Sequence, residues 1–253
     1  MGSALITIAD LRQKFEAAGP QWTFEPTRFM RVRRATVEIL NATFPSMLLI
    51  CFGFSCMEIL SPWFDQLDQH VWPLVLFCIV MSAAMSMVMM LASLSQKWLW
   101  MGFYKPTVQP MWSWWALRTE AVAVSFSALA VSPLLEHLAG TPLLPWVMRM
   151  YGVTIGKGVF MNATDITEFD CVSIGDHAVI NSTALLQTHL YEDRMMKVGR
   201  IDVGGGATVG TGSFVLYDTG IGANARLAGL TVVMKGECLP ANTNWVGSPA
   251  QSK

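Results

Sequence analysis

The sequence predicts an N-terminal α-helical membrane hairpin with an added interfacial helix, followed by a left-handed parallel β-helix of about four to five coils. Three observations predict it: two long apolar runs free of charge, a cluster of tryptophans after them, and apolar residues spaced by six towards the C-terminus. Of the 253 residues 53% are hydrophobic and 14% charged, where soluble domains carry about 25% charged residues. That balance excludes a disordered chain and argues against an ordinary soluble enzyme. The net charge of −1 provides no whole-chain basic field to hold nucleic acid. Nine of the ten Trp precede residue 151, whereas most of the 20 Gly follow it, so the two halves differ physically.

The first apolar run, Ile39 to Met57, has 19 uncharged residues between Glu38 and Glu58. The second, Val71 to Ser95, has 25. About 20 apolar residues span the hydrocarbon of a bilayer, and two such runs joined by a short loop read as a hairpin. Arg28, Arg31, Arg33 and Arg34 precede the first run and Lys97 and Lys105 follow the second, while the joining loop has Asp65 and Asp68 but no Lys or Arg. Basic flanks stay cytoplasmic, so both ends of the hairpin are expected at the cytosolic face of a bacterial-type inner membrane. Residues 4–20 read as a short amphipathic helix rather than a signal peptide, and MGSALI lacks the hydroxyl residue that myristoylation needs at the sixth position. A third apolar run, Ala121 to Leu135, is 15 residues long and follows Trp98, Trp100, Trp112, Trp114 and Trp115. Its length suits an interfacial or re-entrant helix; a crossing would place the C-terminal half outside. The expected divisions are 1–38 (cytosolic N-terminal segment), 39–96 (hairpin), 97–150 (Trp-rich interfacial segment) and 151–253 (cytosolic β-helix). The five cysteines form no disulfide framework, and no Cys/His spacing suggests zinc or another metal.

In the last hundred residues every sixth position from Val203 is apolar: Val203, Val209, Val215, Ile221, Leu227, Val233, Leu239 and Trp245. Gly204, Gly210, Gly222 and Ala228 follow four of them. A second block, Ile174, Ile180 and Leu186, keeps the same spacing, and Ile155 and Met161 hold it before the phase slips near Thr167. A six-residue period is the signature of a β-helix, in which the apolar residue points inward and a small residue turns the corner. The Gly-rich stretch 202–212 keeps this phase and lacks the Lys-Ser/Thr of a phosphate loop. The period is lost from Gln187 to Asp202, a polar stretch carrying His189, Glu192, Asp193, Arg194 and Lys197. A break in a solenoid is either a plain loop or a functional insertion.

TEFD (167–170), IGDHAVIN (174–181), LQTHLYEDRMMKVGR (186–200), VMKGECLP (233–240) and NWVGSPA (244–250), with GTPLLPWVMRMYGVTIG (140–156) upstream, carry a resemblance. Together they resemble the membrane-embedded C-terminal region of poly-lysine-synthetase-like nonribosomal peptide synthetases. The resemblance implies a hexapeptide-repeat acyltransferase module that joins an acyl or aminoacyl group to an amine. It implies a thioester donor, either phosphopantetheine on a carrier protein or acyl-CoA, and a partner bearing adenylation and carrier domains. Many hexapeptide transferases are trimers, so a homo-oligomer is a further expected partner, beside membrane lipid. Two other readings stay open: an O-acetyltransferase acting on an envelope glycan or lipid precursor, and a non-catalytic docking surface.

Acyl transfer needs a base to take the acceptor's proton, and histidine titrates in the right range. His189, within the QTHLYEDR motif, is the candidate base. Residues 18 or 19 apart lie on adjacent coils, and Asp170 and His189 are 19 apart, which nominates Asp170 as the carboxylate that orients the imidazole. Glu168, Glu192 and Asp193 compete for that role, or else form an ion-pair cluster with Arg194 and Lys197. Asn181 is either an oxyanion donor or a structural stacking residue. Tyr217 stands 18 before Lys235, so the two stack on one external face that either meets donor phosphate or is simply solvated. Gly247 and Pro249 resemble the segment bordering the donor pantetheine in related transferases. His177, after IGD at a turn, reads as structural; His70 and His137 have no local partner set.

Overall fold

The computed structural model describes residues 26–63 and 71–253. The amphipathic helix expected at 4–20, the reading of the N-terminus and the joining-loop residues Asp65, Asp68 and His70 lie outside the described residues. Helix α1 (Arg28–Leu60) starts at Thr27, whose hydroxyl accepts the Met30 amide at 3.3 Å. Arginine is a good helix former, so the basic flank continues the apolar helix. None of α1 is buried inside the protein. Helix α2 runs from Val71 to Trp100.

Helix α3 begins at Trp114, with Ser113 Oγ accepting the Ala116 amide at 3.1 Å. It runs to Ser125, widens into π-type turns over Phe126–Leu135 and ends at Leu138. Pro133 lies in the widened stretch; a proline lacks the amide hydrogen and crowds the preceding turn, which favours such a bulge. By length and composition α1, α2 from Trp72, and α3 over Trp114–Leu138 are each long and apolar enough to cross a membrane. The third exceeds the run legible in the sequence because Arg118 and Glu120 are tolerated near its start. Arg118 donates to Trp100 O at 2.9 Å, and Glu120 pairs with Arg34 at 2.7 Å.

Helix α4 (Leu143–Tyr151) buries Leu144, Val147, Met148 and Tyr151 and ends at Gly152, whose φ of 112° is open to glycine. Its Tyr151 ring packs with Phe126 of α3 at 4.9 Å and with Phe169 of the β-helix at 5.0 Å. The helical and solenoid halves therefore share one core.

The solenoid is a parallel β-helix. One face stacks β2 (Thr154–Ile155), β4 (Val172–Ile174), Ile201–Val203, Thr219–Ile221 and Cys238–Leu239. Its registers place Ile155, Ile174, Val203, Ile221 and Leu239 in one inward column. The other faces align Met161 of β3 (Phe160–Met161), Ile180 of β5 (Val179–Ile180) and Val209, and Leu186 of β6 (Leu185–Gln187), Val215 and Val233. These are the residues spaced by six. Where a glycine follows one of them it is needed because the next coil's backbone passes there: a Cβ on Gly204 would lie 2.6 Å from Ala223 N, and one on Gly222 2.4 Å from Ala241 N.

The break in the period is a β-hairpin. Strands β7 (His189–Glu192) and β8 (Met195–Val198) pair antiparallel, with Asp193 and Arg194 at φ of 52° and 60° in the turn. A strand from the Trp-rich segment, β1 (Thr107–Pro110), pairs with the outer edge of β8. No sequence pattern marks a strand at β1. The phase slip near Thr167 is a single 3-10 turn, Phe169–Cys171.

Candidate functional site

The hairpin springs from the coil beside the slipped turn, so the two irregular segments meet. Glu168, at the entry to the 3-10 turn, is fully buried, and its Oε2 lies 2.8 Å from His189 Nδ1 at the start of β7. The same oxygen accepts the hydroxyls of Thr167 at 2.7 Å and Thr188 at 2.5 Å. Its other oxygen, Oε1, is buried and accepts no hydrogen bond among the described residues. The His189 side chain keeps 16% of its surface accessible. Burial disfavours the imidazolium, but the hydrogen bond and charge of Glu168, with a smaller contribution from Glu120, outweigh it and raise the His189 pKa above its ordinary value.

Further contacts join this pair to the apolar helices α1 and α3. Tyr191 stands edge-on to the His189 ring at a centroid distance of 5.5 Å. Its hydroxyl donates to Glu120 Oε1 at 2.8 Å, and Glu120 Oε2 meets Arg34 Nη2 of α1 at 2.7 Å. Burial, then the bond and charge of Glu120, push the Tyr191 phenol well above the usual range. It is a hydrogen-bond donor here and not a base.

The expected pairing of Asp170 with His189 is corrected. Asp170 Oδ2 lies 2.9 Å from Lys97 Nζ and accepts the Tyr104 amide at 3.0 Å. Lys97 closes an apolar helix and has no exposed side-chain surface. A buried ammonium needs a counter-charge, and Asp170 supplies it, with the Trp98 ring 3.4 Å from the same nitrogen. Asp170 thus fastens the solenoid to α2. The coil rule that nominated it fails because Val172 pairs with Ile201 across the hairpin instead of with the residue one regular coil onward.

The remaining candidates lie apart from the imidazole. Glu192 pairs with Lys197 at 2.8 Å and also with Lys235; both cations hold its carboxyl below the usual range. Asp193 occupies the hairpin turn and is exposed. Lys235 lies over Tyr217 at 5.9 Å, as their spacing implied, and the bond to Glu192 raises its pKa. Asn181 Nδ2 donates to Val209 O at 2.8 Å, which commits it to the solenoid backbone. Gly247 O accepts the Val232 amide, Ala250 N donates to Val232 O, and a cis peptide bond precedes Pro249, so that segment closes onto the last coils. His177 sits at a left-handed turn, φ 57°. Burial pushes the Cys171 thiol up to about 12, with the nearby Glu168 and Asp170 charges adding to it, so it stays protonated. No group of three or more metal-ligating side chains occurs among the described residues.

Sequence reasoning missed Thr167, Thr188, Tyr191, Glu120 and Arg34. Thr167, Thr188 and Tyr191 lie inside the two motifs it singled out. Glu120 had its own signal: it is the one carboxylate between residues 106 and 135, and an ionisable residue in so apolar a helix needs a partner.

The fold class that emerges is a hexapeptide-repeat β-helix interrupted by a hairpin bearing an imidazole–carboxylate pair. Solved structures with this likeness include a hexapeptide-repeat-containing acetyltransferase of Vibrio cholerae O1 biovar eltor, complexed with acetyl coenzyme A. It has 23% identity, 40% of this chain and 58% of that chain covered, and a TM-score of 0.37. A maltose O-acetyltransferase of Clostridium difficile 630 is 19% identical over 47% of this chain and 81% of that one, with a TM-score of 0.40. In sequence, 243 residues (94% of the chain) are 38% identical to the delta-poly-L-ornithine synthetase of Acinetobacter baumannii (strain AB307-0294). The chain spans 18% of that protein's length. The resemblance carried by the motifs thus extends over nearly the whole chain. No family model matches it.

Proposed function

We propose that the chain is a membrane-anchored acyltransferase module in which His189 is the general base. The observation that carries this reading is the buried Glu168 held against His189 Nδ1 by a shell of two threonines. With Nδ1 bonded to the carboxylate, Nε2 is the nitrogen left to meet an acceptor. As an amine attacks the carbonyl of a thioester, Nε2 takes its proton; the amide bond forms, the C–S bond breaks, and the proton passes to the departing thiolate. Glu168 fixes the ring and stabilises the imidazolium that forms between these steps.

The acceptor is read as an amine because the relative is named for making delta-poly-L-ornithine, a product built by acylating amines. The donor is a thioester of carrier-bound phosphopantetheine or of CoA. Lys235, 43% exposed in its side chain, with Tyr217 beneath it and Gly247 and Pro249 at the last coils, is the face assigned to the donor. An adenylation- and carrier-domain protein supplies that donor. In this reading α1 and α2 form a hairpin in a bacterial inner membrane, α3 packs at its cytosolic face, and the β-helix is cytosolic and left-handed.

Two measurements test the proposal. Purified full chain carrying His189→Ala is expected to consume acyl-CoA or carrier thioester in the presence of ornithine on the order of 10²–10⁴-fold more slowly than the parent. Undiminished turnover removes His189 as the base, and no turnover by the parent on any thioester favours the docking reading. Cys238 is an exposed free thiol on the solenoid. With Cys51 and Cys78 replaced, a membrane-impermeant maleimide is expected to label it in inverted vesicles and not in intact cells. The reverse pattern places the β-helix outside.

A further inference from the structure

The N-terminal end of α1 meets the start of α3 in a cluster of guanidinium and indole groups, of which Arg33 and Arg118 have no part in the acyl transfer proposed above. Arg33 lies 5.3 Å from the centre of the Trp114 ring and Arg118 lies 6.0 Å from it. Arg34 lies 5.2 Å from the Trp112 ring. Their charge balance is uneven. Arg34 pairs with Glu38 and Glu120, whereas Arg33 and Arg118 form no ion pair among the described residues. Each of those two donates to one backbone carbonyl, Trp112 O at 3.1 Å and Trp100 O at 2.9 Å. Their Nε atoms are buried and bond to nothing among the described residues.

A guanidinium has five donors, and burying one without a partner costs free energy. Two cations without a carboxylate partner among the described residues therefore flank one half-exposed indole, a charge balance that favours an anion. The N-terminus of α3, capped by Ser113, adds the positive end of a long helix. The surroundings state what else the anion brings. Along α1, Ile39 and Leu40 are 63% and 59% exposed, and Trp114 itself is 46% exposed. An oxyanion seated here has long apolar surfaces alongside, which suit acyl chains better than water, and tryptophan favours the headgroup level of a bilayer.

We infer that Arg33 and Arg118 form, at Trp114, a binding site for the phosphate of an anionic phospholipid headgroup. Guanidinium groups take phosphate oxygens in pairs, and anionic lipid is drawn to basic segments at the cytoplasmic leaflet. Arg34, tied to Glu120 and so to Tyr191 beside His189, is the neighbouring arginine, so the lipid sits at the end of a chain of contacts leading to the candidate base.

The test uses native mass spectrometry of the detergent-purified full chain, offered phosphatidylglycerol and phosphatidylcholine of matched tails. The parent is expected to retain phosphatidylglycerol preferentially. Arg33→Gln with Arg118→Gln is expected to lower that retention by on the order of tenfold. Arg28→Gln with Arg31→Gln, exposed on the same helix, is expected to leave it nearly unchanged. Should the first double variant fail to fold, either single substitution is expected to weaken retention severalfold. Equal retention of the two lipids, or full retention by the Arg33 and Arg118 variants, overturns the site. Displacement of the lipid by millimolar inorganic phosphate overturns the lipid assignment in favour of a free phosphate. None of these readouts depends on catalysis.

Discussion

From Ile201 to Leu239 the solenoid is regular. Val209, Val215 and Val233 have no exposed surface, glycines turn the corners, and the side chains in the inward columns are apolar. Between Leu186 and Ile201 the chain leaves the stack, and Thr188 and His189 there meet Thr167 and the buried carboxylate of Glu168 beside the slipped turn. The difference teaches where a β-helix can hold chemistry. A regular coil stacks its strands on its neighbours, and its buried hydroxyls, Ser213, Thr219 and Thr231, donate to backbone carbonyls. A coil that slips opposite a coil that loops out leaves a lined gap, and polar side chains fill it.

The sharpest way to break this comparison is at its edge. Asp170→Asn leaves Lys97 buried without its counter-charge, and removing one partner of a buried pair costs about 3–5 kcal/mol. The thermal transition in detergent should fall markedly while the regular coils keep their β signal by circular dichroism. An unchanged transition would show that Asp170 does not fasten the two halves.

Next in size is Glu168→Gln. Losing a charged hydrogen bond in a buried site costs about 1–3 kcal/mol, and the effect depends on pH. The folded His189 pKa lies above its unfolded value, so its share of stability is complete below about 6.5 and is lost as pH rises through the folded pKa. Parent and variant should differ most in acid and converge above the folded pKa as far as the imidazolium is concerned. Turnover runs the other way, because a base must be neutral: the parent's rate should climb with pH through the raised pKa, and the variant's limb should move to lower pH. Nitrogen NMR of labelled histidine follows the same titration without a substrate, and an unmoved His189 pKa would remove Glu168 from this role.

The smallest effect belongs to the outer face. Lys235→Gln removes an exposed ion pair with Glu192 worth about 0–1 kcal/mol, so the thermal transition should barely move. A rise in KM for the thioester with kcat unchanged would mark Lys235 as a donor contact, while unchanged kinetics would make it a solvated face.

Much of the fold was legible because it rests on period. The spacing by six named the inward columns, and the two charge-free runs named α1 and α2. The break at Gln187–Asp202 marked the hairpin region and the candidate base His189 within it. The partner was not legible, since choosing between Glu168 and Asp170 needs a register, and the hairpin removes the register that an 18-residue coil provides. Strand β1 was hidden for a related reason: TVQP has no strand pattern of its own and becomes a strand through the edge it meets. The full length of α3 was hidden because Arg118 and Glu120 look like breaks in an apolar run until their partners are known.

The pairing of Thr107 with Val198 bears on how the molecule assembles. A two-stranded ribbon alone is marginal in water, so the hairpin that presents His189 depends on β1 as its third strand. Joining them closes a loop that contains α3, α4 and the first coils, an entropic cost that local structure does not repay until those parts are in place. Synthesis delivers β1 first and leaves its edge open until residue 198 has emerged. The imidazole–carboxylate pair is therefore completed late in folding, and a chain stalled before that point holds the apolar helices without a finished candidate site.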